Sequence, residues 1–114
     1  MASAHELEAA LGDTKPENFI VDRDGKVTLV DLEQARYKGD YGWDVAEFLF
    51  YSGHYWLPFN NELLGYVEAF IGGYLEKGSS KVLRKAASPR YVRVFSVWTP
   101  PNILHNIRKR LLEA

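Results

Sequence analysis

Residues 12–33 read GDTKPENFIVDRDGKVTLVDLE. Asn18 to Val21 has strand character, and so does Val27 to Asp31. Between them, Asp22-Arg23-Asp24-Gly25-Lys26 carries turn chemistry, with Gly25 suited to a positive φ. The stretch therefore predicts a β-hairpin over 18–31. In a tight hairpin the start of the first strand lies beside the end of the second. Asn18 and Asp31 should then be neighbours at one edge of the sheet, with Asp13 a few residues upstream in the preceding loop.

Helical patterns lie on either side. Ser3 to Leu11 predicts a helix, with Ser3 and Glu6 as a capping box and Leu7 and Leu11 on one face. Residues 32–41 read as a polar connector. Trp43, Ala46, Phe48, Leu49 and Phe50 recur at helical spacing over 42–52. Residues 53–60 read as an aromatic loop. Leu63, Leu64, Val67, Phe70, Ile71 and Leu75 mark a helix over 61–76. Shorter helices follow at 80–87 and 90–98, and a final one runs from Pro100–Pro101 to Leu112, since proline is tolerated in a first turn. The expected fold class is α+β, mostly α, in one domain spanning 1–114.

Composition narrows the setting. The 114 residues contain no cysteine, which excludes disulfides, thiolate metal sites and a cysteine nucleophile and fits a reducing, cytoplasmic compartment. No apolar run approaches the ~20 residues that span a bilayer, and the first ten residues are not a secretory signal. Net charge is −1 but unevenly spread. Residues 1–76 hold 5 basic against 14 acidic side chains, a net of −9; residues 77–114 hold 9 against 1, a net of +8. The basic positions Lys81, Arg84, Lys85, Arg90 and Arg93, and then Arg108, Lys109 and Arg110, read first as solvated helix faces. They lack the interleaved aromatics of an RNA-binding motif, which argues against a nucleic-acid partner.

The chemistry concentrates near the hairpin. The Asn18 carbonyl and the Asp31 carboxylate are hard oxygen ligands suited to Mg²⁺. Asp13 adds a second carboxylate and Lys15 a cation, the parts that phosphoryl transfer uses. His54 and His105, among aromatic and apolar residues, read as core or surface fillers rather than ligands, and His5 reads as lying near a mobile terminus. Asp22 and Asp24 read as hairpin-turn residues rather than a calcium loop.

Asp13 to Asn18 resembles the catalytic loop of the protein-kinase-like superfamily, D-x-K-P-E-N. Asp31, thirteen residues after Asn18, resembles the aspartate that opens the D-F-G motif, although Leu32-Glu33 follows it here. Gly39 to Ala46, with Trp43-Asp44-Val45-Ala46, resembles the helix start of aminoglycoside- and choline-kinase-type enzymes. The match covers roughly residues 5–55. It implies a kinase-like C-terminal lobe with a small catalytic hairpin, using Mg²⁺ and ATP to phosphorylate a hydroxyl acceptor. It further implies that Asp13 orients the acceptor hydroxyl and takes its proton, that Lys15 steadies the transferring phosphoryl group, and that Asn18 and Asp31 bind Mg²⁺. Asp44 resembles the structural aspartate that receives loop N–H groups. Two departures stand out: Leu11 sits where the family usually has a bracing His, and only seven residues separate Glu33 from Tyr41, too few for a long activation segment. Only twelve residues precede Asp13, so the glycine-rich loop and strand lysine of the nucleotide-cradling lobe are not among these residues. Lys-Pro-Glu-Asn favours a protein acceptor, and the short connector with Trp-Asp-x-Ala favours a small molecule. The alternative is a catalytically inactive module that binds an anionic partner through its basic helices, or one that self-associates through the surface a second lobe would cover.

Overall fold

A computed structural model describes residues 1–53 and 62–114. The hairpin forms as its sequence demands. β2 (Phe19–Val21) pairs antiparallel with β3 (Val27–Leu29), with Phe19 opposite Leu29 and Val21 opposite Val27. The turn is closed by Asp22, whose Oδ1 accepts the N–H groups of Asp24 and Lys26, both at 2.9 Å. Gly25 takes φ +81° there.

Five helices carry the core. α2 (Tyr41–Ser52) is capped by Asp40, which accepts the Trp43 N–H at 3.1 Å. α3 (Glu62–Leu75) buries Leu63, Val67, Ile71 and Tyr74, a stripe at helical spacing. Leu75, expected on that face, is 40% exposed, and Tyr74 takes its place. α4 (Ser80–Ala86) is capped by Ser79; α5 (Pro89–Phe95) and α6 (Pro101–Glu113) each begin on proline. Val45, Leu49 and Phe50 of α2 are fully buried against Leu83, Phe95, Ile107 and Leu111. The architecture is α+β with helix dominant, as the patterning predicts. The Cα radius of gyration is 13.3 Å, close to the ~13 Å of a compact 100-residue domain. Among the described residues no helix is long and apolar enough to cross a membrane. The reading of His54, and the expected aromatic loop from residue 54 onward, lie outside the described residues.

The N-terminal expectation needs correcting. The helix predicted over 3–11 is α1 (Ala2–Glu6), with Met1 at its N-cap and no side-chain cap from Ser3. Glu8 then takes φ +62°, and Ala9–Ala10 forms a short strand, β1. Its partner is β4 (Arg36–Tyr37), inside the predicted connector, with Ala9 opposite Tyr37 and Ala10 opposite Arg36. The Lys38 N–H reaches the Glu8 carbonyl at 2.6 Å, and the Tyr37 hydroxyl donates to Glu8 Oε2 at 2.7 Å. Leu7 and Leu11 therefore do not share a face: Leu7 is 77% exposed and Leu11 is buried. Two-residue strands have no hydrophobic period to announce them, and tertiary pairing overrode the local helical pattern.

Candidate functional site

Asp13, Lys15 and Asn18 meet in the loop between β1 and β2. Lys15 Nζ lies 3.3 Å from Asp13 Oδ2. The Asn18 side-chain Nδ2 donates to the Asp13 carbonyl at 3.2 Å, which keeps the amide oxygen for another partner. Pro16–Asn18 forms a single 3₁₀ turn, with Pro16 in its first positions. The hydrogen bond and charge of Asp13 raise the Lys15 pKa, so that ammonium stays charged. Asp13 Oδ1 is buried and has no hydrogen-bond partner among the described residues. A buried carboxylate oxygen without a donor is uncommon and asks for an explanation.

Asp31 lies where the hairpin geometry puts it. The Val30 N–H donates to the Asn18 carbonyl at 2.9 Å, so Asp31 is one residue past the last pairing with Asn18. Its backbone sits in the left-handed region at φ +59°. Aspartate tolerates that conformation better than most residues, but it still costs roughly 1–3 kcal/mol. Asp31 and Glu33 are exposed.

Helix α2 holds the loop from behind. Asp44, fully buried, accepts the Leu11 N–H at 2.6 Å and the Gly12 N–H at 2.8 Å, the role the resemblance implies for it. The Thr14 N–H donates to Glu47 Oε1 and its hydroxyl to the Asp44 carbonyl, both at 2.6 Å. The Trp43 indole N–H donates to the Gly12 carbonyl at 3.0 Å. Residues 11, 12 and 14 are thus tied to the first two turns of one helix. Each bond contributes about 1 kcal/mol and leaves a costly orphan if broken. At the start of α2, Asp40 also accepts the Tyr91 hydroxyl at 2.6 Å and lies near Lys85 (3.4 Å) and Arg90 (3.5 Å). Burial raises the Asp40 pKa, but Tyr91, the Trp43 N–H and Lys85 outweigh it and hold the carboxyl below its ordinary range.

His5 corrects the sequence reading. Rather than lying at a mobile terminus, it is 8% exposed, with both ring nitrogens engaged. Nε2 donates to Asp44 Oδ2 at 2.7 Å, and Nδ1 lies 2.6 Å from the Tyr74 hydroxyl. No local pattern links positions 5, 44 and 74; only the Leu11 departure hinted that the loop needed another brace. His105 is an exposed residue of α6.

Glu47 offers a test of the loop's attachment. Burial pushes its pKa up, against the Thr14 N–H, which lowers it. A carboxyl with a raised folded-state pKa adds stability that is fully present below its unfolded pKa of about 4.5 and declines as pH rises through the folded value. Glu47→Gln keeps an acceptor for the Thr14 N–H and removes the charge. Denaturant midpoints should then fall less for the variant than for the parent as pH rises above about 4.5. Parallel curves would show that Glu47 is not strained by burial.

The oxygen chemistry suits a hard divalent cation. Among the described residues no three His, Asp or Glu side chains gather into a ready-made metal cage. Magnesium does not need one; it is bound through one or two protein oxygens together with water and substrate phosphates. The Asn18 amide oxygen and the Asp31 carboxylate are hard oxygens of that kind, carried by residues one position out of register across the hairpin. No family model matches this chain, nor does any curated protein or solved structure.

Proposed function

We propose that these residues form the kinase-like C-terminal lobe of a phosphotransferase that uses Mg²⁺-ATP to phosphorylate a hydroxyl acceptor. The carrying observation is that one loop brings Asp13, Lys15 and Asn18 together, with Lys15 on one carboxylate oxygen of Asp13 and no donor among the described residues on the other. An acceptor hydroxyl would supply that donor once its binding uncovers the oxygen. Asp13 then orients the hydroxyl and takes its proton as the oxygen attacks the terminal phosphorus, whose bond to the bridging oxygen of the β-phosphate breaks to release ADP. Lys15 places positive charge beside the transferring phosphoryl group. Asn18 and Asp31 hold Mg²⁺, which when bound neutralises the phosphate charge. A groove of about 410 Å³ lined by Met1, Phe19, Val21, Val27, Leu29, Phe48 and Phe70 offers the hairpin's apolar face to a flat base or to a second, nucleotide-cradling lobe supplied in the same chain or another.

A second reading has its own observation. Ile20, Val21 and Val27 are 53%, 64% and 54% exposed, an apolar surface that also suits an inactive, self-associating module. Calorimetric titration with Mg²⁺-ATP, alongside Asp31→Asn and with light scattering on the same samples, separates the two. Phosphotransfer predicts saturable heat that requires the metal and disappears in Asp31→Asn. Binding that survives the substitution, or a silent titration of a protein that scatters as an oligomer, favours the module.

A further inference from the structure

Residues 11–15, which carry Asp13, have no regular structure of their own. Its geometry comes from Asp44, and a buried carboxylate can turn about its side-chain bonds unless something holds it. Two of the groups that hold Asp44 are the loop N–H groups it is supposed to place, those of Leu11 and Gly12. The independent restraint is His5. Its ring is clamped at both nitrogens, by Asp44 at 2.7 Å and by Tyr74 of α3 at 2.6 Å, and lies 4.6 Å from the Tyr41 ring. Burial, then the charge of Asp44, pushes the Tyr74 phenol up to about 12, so it keeps the proton it gives to Nδ1. That donation leaves the hydrogen on Nε2, the nitrogen facing Asp44.

We propose that His5 is a positioning residue for the catalytic loop: through a Tyr74–His5–Asp44 relay of hydrogen bonds, α3 sets the orientation of the carboxylate that receives the Leu11 and Gly12 N–H groups. Its importance for catalysis rests on the phosphotransferase reading; its effect on loop order does not. The brace enters from α1, so the loop depends on a helix of five residues whose own hydrogen bonds are too few to make it stable alone. His5 therefore also docks α1, and the two effects are read apart by residue.

The test is amide hydrogen exchange on the full chain without nucleotide, so its outcome is independent of whether the protein transfers phosphate. In His5→Phe, which keeps a ring beside Tyr41, the Leu11 and Gly12 amides should exchange on the order of tenfold faster or more, while those of Leu49, Leu104 and Ile107 keep their protection. His5→Gln, which restores a donor near the Nε2 position, should recover most of the loss. Unchanged Leu11 and Gly12 protection in His5→Phe overturns the proposal. So does a loss shared equally with Leu104 and Ile107, or a failure of His5→Gln to recover the loop. If His5→Phe does not fold, Tyr74→Phe decides: the same local pattern at smaller amplitude supports the relay, and unaltered loop protection refutes it.

Discussion

Asp44→Ala lowers the unfolding free energy by about 3–5 kcal/mol, the cost of removing one partner from a buried, hydrogen-bonded charged network. The substitution orphans the Leu11 and Gly12 N–H groups and the His5 Nε2–H together, all of them in the interior or at its edge. It also leaves a cavity where α2 meets the loop. Domains of this size have total stabilities of about 5–15 kcal/mol, so the variant should be marginal. Thermal unfolding followed by circular dichroism should show the midpoint lowered by more than about 10 °C. Asp44→Asn, with the same shape and one acceptor oxygen, should fall between the two. A loss below about 1 kcal/mol in Asp44→Ala would mean that the loop finds other partners, and that α2 does not hold it.

Gly12→Ala comes next, at about 3 kcal/mol. Gly12 has φ +84°, a conformation that costs an L-residue roughly 1–2 kcal/mol. A methyl group there would also collide with the backbone carbonyl of Gln34, which cannot swing aside as a flexible side chain can. Overpacking of that kind adds about 1–3 kcal/mol. Gly25→Ala is the control: its φ is +81°, almost the same, but nothing lies within 4 Å of the added carbon. It should lose only the conformational part, roughly 1–2 kcal/mol. Urea unfolding of the pair measures the difference. Equal losses would show that Gln34 gives way and that contact between the loop and the connector is loose.

Both predictions bear on how the candidate site is assembled. Asp13, Lys15 and Asn18 share one short loop, but that loop is shaped from outside. Asp44 and Glu47 hold it from α2, Gln34 closes on Gly12, and β1 pairs with β4 at its base. The acidic side chains are concentrated before residue 77. The basic ones after it, Lys77 apart, lie on α4 to α6, where Lys85 and Arg90 flank the cap of α2 and Arg110 pairs with Glu68 at 2.8 Å. Part of the charge asymmetry is therefore met within the fold.

What could be read from the chain alone was local. The hairpin was legible because its turn chemistry lies within five residues and its strands flank that turn directly. The neighbourhood of Asn18 and Asp31 followed from hairpin geometry. Helices α2 to α6 were legible because burying one face repeats apolar residues every three or four positions, and a serine or a proline marks the starts of α4, α5 and α6. The clustering of Asp13, Lys15 and Asn18 needed only a short loop. Tertiary structure decided the rest. Ala9–Ala10 became a strand because Arg36–Tyr37 was there to pair with it, a match between residues with no shared pattern. His5 became a brace because folding set it between Asp44 and Tyr74, 39 and 69 positions away. That Asp13 Oδ1 is buried with no donor among the described residues is likewise a product of packing. Turn residues and side-chain periodicity act over a few bonds and leave their mark in order; burial and long-range hydrogen bonding depend on which segments meet, and that is determined only when the whole chain packs.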